Sequence, residues 1–275
     1  MAQYRAAATL AVAAMLVVST GCDNLASRRL DFDDTEAARI TAVRVLPGAG
    51  DVSVRGIGTA GEVRIKRVVR YHGAQPDTTY AVKGGELVLD TDCGDDCSIS
   101  YEVTVPEGVS VTGETGSGDV NLSKVGAVEM KVGSGNIRVS GSGAVQAETG
   151  SGDVVVSRAA GAVNVKTGSG NVEVDDSTAE VTLQTGSGDI TGRRLGAGVA
   201  AEATSGNITL DLSAPASARA HASSGDVKLV VPAGRYQVRS RTGSGDASLG
   251  VTHDPAASLV LDLSTGSGNQ TLTAR

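Results

Sequence analysis

Three kinds of side chain in this 275-residue sequence could do chemistry: three cysteines, three histidines, and a carboxylate or carboxamide that recurs after Ser-Gly. The last is the most numerous. It places Asp119, Asn136, Asp153, Asn171, Asp189, Asn207, Asp226, Asp246 and Asn269 at intervals of 17, 17, 18, 18, 18, 19, 20 and 23 residues. Oxygen donors in a row suit a hard cation, but such an ion wants several converging on it, often carboxylates. From Asp119 to Asn207 every second donor is an amide. Catalytic chemistry has less to stand on. His72, His221 and His253 are scattered, and the serines of the Gly-Ser-Gly steps form no Gly-x-Ser-x-Gly elbow. Gly56-Ile57-Gly58-Thr59-Ala60-Gly61 spells a dinucleotide fingerprint, yet Glu62-Val63-Arg64-Ile65-Lys66 alternates as a strand where a helix would have to open. Asp175-Asp176 would point to opposite faces of a strand or occupy a corner, poor geometry for acid/base work. No catalytic residue, metal site or cofactor is expected.

The cysteines speak to location. Arg5 and the 13-residue apolar run Ala6–Val18 read as an export signal over residues 1–21, too short to span a bilayer comfortably. Ser19-Thr20-Gly21 before Cys22 is similar to a bacterial lipoprotein junction, at which Cys22 receives a diacylglyceryl group and becomes the new N-terminus. Ser19 departs from the Leu, Val or Ile usual there, and plain cleavage after Gly21 is the alternative. An unlipidated product would carry an odd thiol, whereas lipidation leaves the even pair Cys93 and Cys97. The expected address is therefore the outer face of a bacterial cell membrane, reached through a lipid on Cys22, with residues 22–39 as a polar tether. In that oxidising compartment Cys93 and Cys97 read as a disulfide across Gly94-Asp95-Asp96. Asp90, Asp92, Asp95 and Asp96 raise a metal alternative, but no His or second Cys pair is near.

Composition excludes other classes. With 24 Lys+Arg against 31 Asp+Glu the net charge is -7, which argues against a nucleic-acid partner. Six prolines and no three-residue glycine period exclude collagen, and 40% apolar residues argue against a disordered acidic chain.

The elements that must position the recurring Asp/Asn follow from the same repeat. In Ala162–Thr167 the residues Val163, Val165 and Thr167 share one face, and after Gly168-Ser169-Gly170 Val172 and Val174 share another. Period-two alternation of β-branched residues means strand, and glycine supplies the φ > 0 of a sharp corner. Two strands and two corners per repeat predict an all-β parallel β-solenoid of about 18-residue rungs stacked at about 4.8 Å. An inward column such as Val145/Val163/Val181 leaves no room for rings, in keeping with no Trp and one Phe. An outward column reads Lys131, Glu148, Lys166, Gln184, Glu202, His221, Arg239, Asp262, with no two carboxylates adjacent. Sequential stacking would put the solenoid over 112–275. Residues 40–111 would be an irregular strand-rich cap, with Ile40–Val54 as an irregular first rung.

The TGSGD/N repeats, Val105-Pro106-Glu107-Gly108, Val231-Pro232-Ala233-Gly234 and Gly50-Asp51-Val52 together resemble the bacterial β-strand-repeat family labelled "putative adhesin" over residues 40–275. That resemblance implies a β-solenoid exposed on the cell surface and no demonstrated activity. The expected function is a non-catalytic, adhesin-like surface lipoprotein scaffold, its partners the membrane through the lipid and an envelope protein or cell-wall component. Two alternatives stand: a glycan- or cell-wall-binding module, and a calcium protein similar to the β-roll. The β-roll repeats a nine-residue motif twice per turn, whereas here the motif occurs once. Sugar stacking needs exposed rings, and the repeat array has only Tyr236.

Overall fold

The computed structural model describes residues 28–275 apart from 59–60, 73–74 and 77. The export signal, Cys22 and the first part of the tether lie outside the described residues. Among the described residues every regular element is a strand. The first seven are β1 (Arg28–Glu36), β2 (Ala42–Leu46), β3 (Val52–Gly56), β4 (Val63–Tyr71), β5 (Tyr80–Lys83), β6 (Glu86–Asp90) and β7 (Ser98–Val105). The regular repeats supply β8 (Ser110–Ser117), β9 (Val120–Ser123), β10 (Val128–Ser134), β11 (Ile137–Ser142), β12 (Val145–Ser151), β13 (Val154–Ala159), β14 (Val163–Ser169) and β15 (Val172–Ser177). They continue with β16 (Val181–Ser187), β17 (Ile190–Leu195), β18 (Val199–Ser205), β19 (Ile208–Leu212), β20 (Ala218–Ser224) and β21 (Val227–Val231). The chain closes with β22 (Gln237–Ser244), β23 (Ala247–Leu249), β24 (Val260–Ser267) and β25 (Gln270–Ala274).

The strands form two facing sheets, one of 13 strands (sheet A) and one of 12 (sheet B), and each repeat contributes one strand to each. Pairing through the repeats is parallel, with Val145 beside Val163 and Val163 beside Val181. Val145, Ala147 and Thr149 are buried while Gln146 is exposed, so alternation decides which side chains enter the core. The interior of the regular rungs is narrow and filled mainly by Val, Ile, Leu and Ala, while Tyr71, Tyr101 and Tyr236 are buried toward the two ends. This is the parallel β-solenoid that the period implies.

Each residue of the Thr-Gly-Ser-Gly corner has a physical reason. Thr149, Thr167 and Thr185 are buried and donate through Oγ1 to carbonyls of Gly135, Gly152 and Gly170 in the preceding rung, at 3.0–3.1 Å. Gly152 has φ +145°, and a Cβ on it would lie 2.1 Å from the Gly135 carbonyl oxygen. No other residue fits that stack. The opposite corner uses left-handed residues at Lys124, Gly141, Arg158, Asp176 and Arg194, which is where Asp176 sits.

Rung order departs from chain order at both ends. Sheet B runs β20–β24–β22 and sheet A runs β21–β25–β23, so the last rung in sequence is inserted before the β22/β23 rung. Consequently Leu261, not Leu259, stands beside Val238, and His221 neighbours Ser264 instead of Arg239. At the other end β2/β3 lies between β6/β7 and β8/β9, so Ile40–Val54 does contain a rung, placed inside the array. Residues 28–36, read from sequence as tether, are β1. Leu30 and Phe32 are half-buried while Arg29, Asp31 and Asp33 face solvent, an alternation that the polar composition masks. β1 pairs antiparallel with β4, and β4 antiparallel with β7, which ends the parallel stack on that side.

Candidate functional site

The recurring Asp/Asn residues form a continuous corner column in which Oδ1 of each residue but the outermost, Asp246, accepts a hydrogen bond from the next rung. The Asn136 amide N–H and Nδ2 both donate to Asp119 Oδ1, at 2.9 and 3.1 Å. The Asp153 N–H then donates to Asn136 Oδ1 at 2.9 Å, and Asn171 repeats the double contact on Asp153 at 2.8 and 3.2 Å. Rung exchange extends the pattern: Asn269 N–H donates to Asp226 Oδ1 at 2.7 Å, and Asp246 N–H donates to Asn269 Oδ1 at 3.0 Å. In chain order Asp226 and Asp246 are consecutive; in space Asn269 separates them, and alternation holds from Asp119 to Asp246. Stacked carboxylates about 4.8 Å apart repel by nearly 1 kcal/mol per pair even in water, so an amide between them is favourable. This column is a hydrogen-bonded seam. Among the described residues no group of three or more His, Cys, Asp or Glu converges as a metal site.

Outward columns show cross-rung pairing of exposed groups, such as Lys166 with Glu148 at 3.9 Å and Lys124 with Glu107 at 3.0 Å. The Lys124 ammonium beside Glu107 holds its carboxyl below the usual range. Exposed pairs of this kind contribute about 0–1 kcal/mol.

Cys93 and Cys97 are joined Sγ to Sγ in the structure, their Cα atoms 5.6 Å apart, in the loop before β7. Asp92 Oδ1 in that loop accepts from Gly94 N–H at 3.0 Å, and Asp90 Oδ1 accepts from Asp92 N–H at 3.0 Å. These two carboxylates shape the turn.

The composition pointed to no polar cluster in the core, but each end has one. At the N-terminal end the Arg67 guanidinium, on a residue only 7% exposed, lies 4.2 Å from the Phe32 ring centroid and 5.5 Å from that of Tyr80. It donates to Thr79 Oγ1 at 3.0 Å, and its Nε is 3.7 Å from Asp34. Tyr101 Oη lies 2.6 Å from the Thr79 carbonyl and 2.9 Å from that of Asp90, and burial pushes its hydroxyl up to about 12. Burial, then the hydrogen bond to Glu36, raises Tyr80 as well. The signal for this cluster was the concentration of rings before residue 102.

At the C-terminal end Gln270 is 1% exposed, occupying the inward position held by Val227 in the neighbouring rung. It accepts from Ser240 Oγ at 2.6 Å and donates to the Arg241 carbonyl at 2.5 Å. On the outer face Asp262, 9% exposed, lies between Arg219 and Arg239 in its column. Its carboxylate is 3.1 Å from Arg241 and 3.4 Å from His221 Nε2. Among the described residues no hydroxyl hydrogen-bonds that imidazole; His221 belongs to an ionic surface cluster. His72 and His253 sit elsewhere, the first against the Asp96 carbonyl and the second accepting from Val238 N–H at 3.1 Å. The structure thus brings the three histidines to separate places. Gly56 ends β3 and Gly61 stands two residues before β4, so the fingerprint letters lead into a strand where a helix would have to open.

Two facing parallel sheets with a glycine corner and an Asp/Asn seam define a β-solenoid class. The Toastrack DUF4097 family model matches residues 98–273, more than half of the chain, and the chain belongs to that family. Among curated proteins no sequence matches. Three solved structures are similar. One is titled a "putative cell adhesion protein" from Clostridium sporogenes: 10% identity, 89% of this chain and 100% of that chain covered, TM-score 0.26. A "putative adhesin" from Bacteroides fragilis has 14% identity, 89% and 97% coverage and a TM-score of 0.39. A "putative adhesin" from Parabacteroides merdae has 12% identity, 89% and 96% coverage and a TM-score of 0.29.

Proposed function

We propose that this Toastrack-family chain is a non-catalytic, adhesin-like scaffold held at the outer face of a bacterial cell membrane by a lipid on Cys22. The observation that carries the reading is the corner seam: the recurring Asp/Asn side chains of the array bond each other's backbone amides. They leave flat, exposed strands as the working surface. Cys93 and Cys97, paired as a disulfide, suit an exported protein. Tyr236 is fully buried, with its hydroxyl on the Pro232 carbonyl at 2.9 Å, so the array offers no ring for stacking on a sugar. That favours a protein partner in the envelope over a glycan, and the net charge of -7 speaks against nucleic acid.

The anchoring test is direct. Intact-mass analysis of protein from the native host should show a diacylglyceryl adduct on Cys22, and Cys22→Ala should be released from membranes or remain unprocessed. An unmodified N-terminal Cys22 would overturn the anchor.

A further inference from the structure

The C-terminal end of sheet B is an unfinished ladder. β22 is the last strand of that sheet, and β23, exposed throughout, is the last of sheet A. Part of the β22 edge is covered. Asp254 N–H donates to the Tyr236 carbonyl at 2.9 Å, and Val238 N–H donates to His253 Nδ1 at 3.1 Å. Gln237 N–H donates to Leu259, which turns the peptide groups of Gln237, Arg239 and Arg241 toward β24. Those of Ser240 and Thr242 therefore face away from the array, with no backbone partner among the described residues. An edge of this kind is a template for strand addition.

Charge says what fits it. Two outward columns reach this edge: Arg219–Asp262–Arg239, and Glu202–His221–Ser264–Arg241. Both terminate in arginine. Asp262, the one carboxylate of these columns in the two outermost rungs, contacts Arg241 and His221 and is flanked in register by Arg219 and Arg239, in a protein whose net charge is -7. The Arg241 side chain is still 67% exposed. The next strand in each column should carry a carboxylate, at positions two residues apart. A second copy does not supply it. β22 against β22 sets arginine against arginine, and β5, the other edge of sheet B, offers Lys83 and no acid.

We propose that this edge docks an extended acidic protein segment, which adds as a strand beside β22 from Ser240 onward and sets carboxylates two residues apart against Arg239 and Arg241. The proposal deepens the reading of the array as a binding scaffold and is independent of its anchoring, so the two can fail separately.

The test is fluorescence anisotropy with the full chain and a labelled peptide, Thr-Glu-Val-Glu-Thr-Glu-Val, beside its Lys-for-Glu counterpart and unlabelled polyphosphate as competitor. The glutamate peptide should bind and the lysine peptide should not. Arg239→Glu with Arg241→Glu should weaken the first by at least about tenfold and create binding of the second. Thr242→Pro removes an N–H that faces the free side of the edge, together with the Oγ1 hydrogen bond to the Gly268 carbonyl, and should weaken the glutamate peptide by about tenfold. Absence of glutamate-peptide binding, or failure of the charge exchange, overturns the proposal. Full competition by polyphosphate with no effect of Thr242→Pro overturns it too, assigning the patch to anionic polymers. A circular-dichroism melt checks each fold, and the charge exchange decides should the proline variant not fold.

Discussion

The two ends of the solenoid meet the same problem, an exposed pair of sheet edges, with different chemistry. At the N-terminal end the chain reverses strand direction through β4 and β1 and buries a guanidinium among Phe32, Tyr80 and Asp34. At the C-terminal end direction is kept, the last rung in sequence is slipped inside, and the outermost rung is left polar, with Ser240 and Gln270 hydrogen-bonded across it. The first end changes direction: β1 and β5 are the edge strands of their sheets, and each pairs antiparallel with its one neighbour. A reversed strand, aromatic rings and a disulfide loop leave few features for another parallel strand to read. The second end only tapers, and the uncovered part of its edge carries arginines. The difference teaches that capping a stack and presenting a surface can be divided between the ends of one repeat array.

The largest expected effect is at the N-terminal end. Arg67→Ala would leave Asp34, whose side chain is 14% exposed, without its buried partner, at a cost of about 3–5 kcal/mol. Hydrogen exchange should then accelerate over β1 and β4 while β24 and β25 stay protected. Uniform acceleration along the whole chain would mean that the ends do not differ in this way.

A pH titration sharpens the same contrast. The folded-state value of Tyr101 is raised to about 12 from 10.0, so folding favours the neutral phenol. Its contribution is fully present below pH 10 and is lost as pH rises toward 12, on the order of 2–3 kcal/mol. Alkaline denaturation should therefore begin in β4–β7, as read by site-resolved exchange, and Tyr101→Phe should reduce that pH dependence, the remainder resting with Tyr80. Loss beginning at β22–β25 would contradict it.

The smallest effect tests rung order at the tapered end. In the observed stack Asp246 neighbours only Asn269 in the corner column, so Asp246→Asn should leave the melting temperature nearly unchanged. Sequential stacking would place it against Asp226, and the same substitution would then stabilise by about 1 kcal/mol through relief of carboxylate repulsion. Asn269→Asp reads the order in reverse, because it sets a carboxylate between Asp226 and Asp246. It should destabilise by about 1 kcal/mol for each neighbour.

Much of the corner was legible in advance and much of the ends was not. Gly-Ser-Gly at a period of 17–19 residues, with Val163, Val165 and Thr167 on one face, implies a stacked rung whatever surrounds it. Among the nine Ser-Gly-Asp/Asn copies the one break in alternation, Asp226 followed by Asp246, was the trace in the sequence of the exchanged rung. Arg67 and Asp262 carried no such trace, since a charged residue at an alternating strand position reads as solvated. Their burial depends on what crosses over them.

The sequence alone determined the repeat, the inward and outward faces, the need for glycine at the corner and the absence of rings from the regular rungs between Tyr101 and Tyr236. These follow from φ/ψ sterics and from a side-chain period of two, which act over a few residues. Only the tertiary structure decided which rung stacks on which, that residues 28–36 pair as β1, and where the free edge falls. Rungs with similar inward columns and the same corner seam can pair in more than one order. The choice among orders rests on contacts 43 residues apart, such as Asn269 on Asp226, which no local pattern specifies.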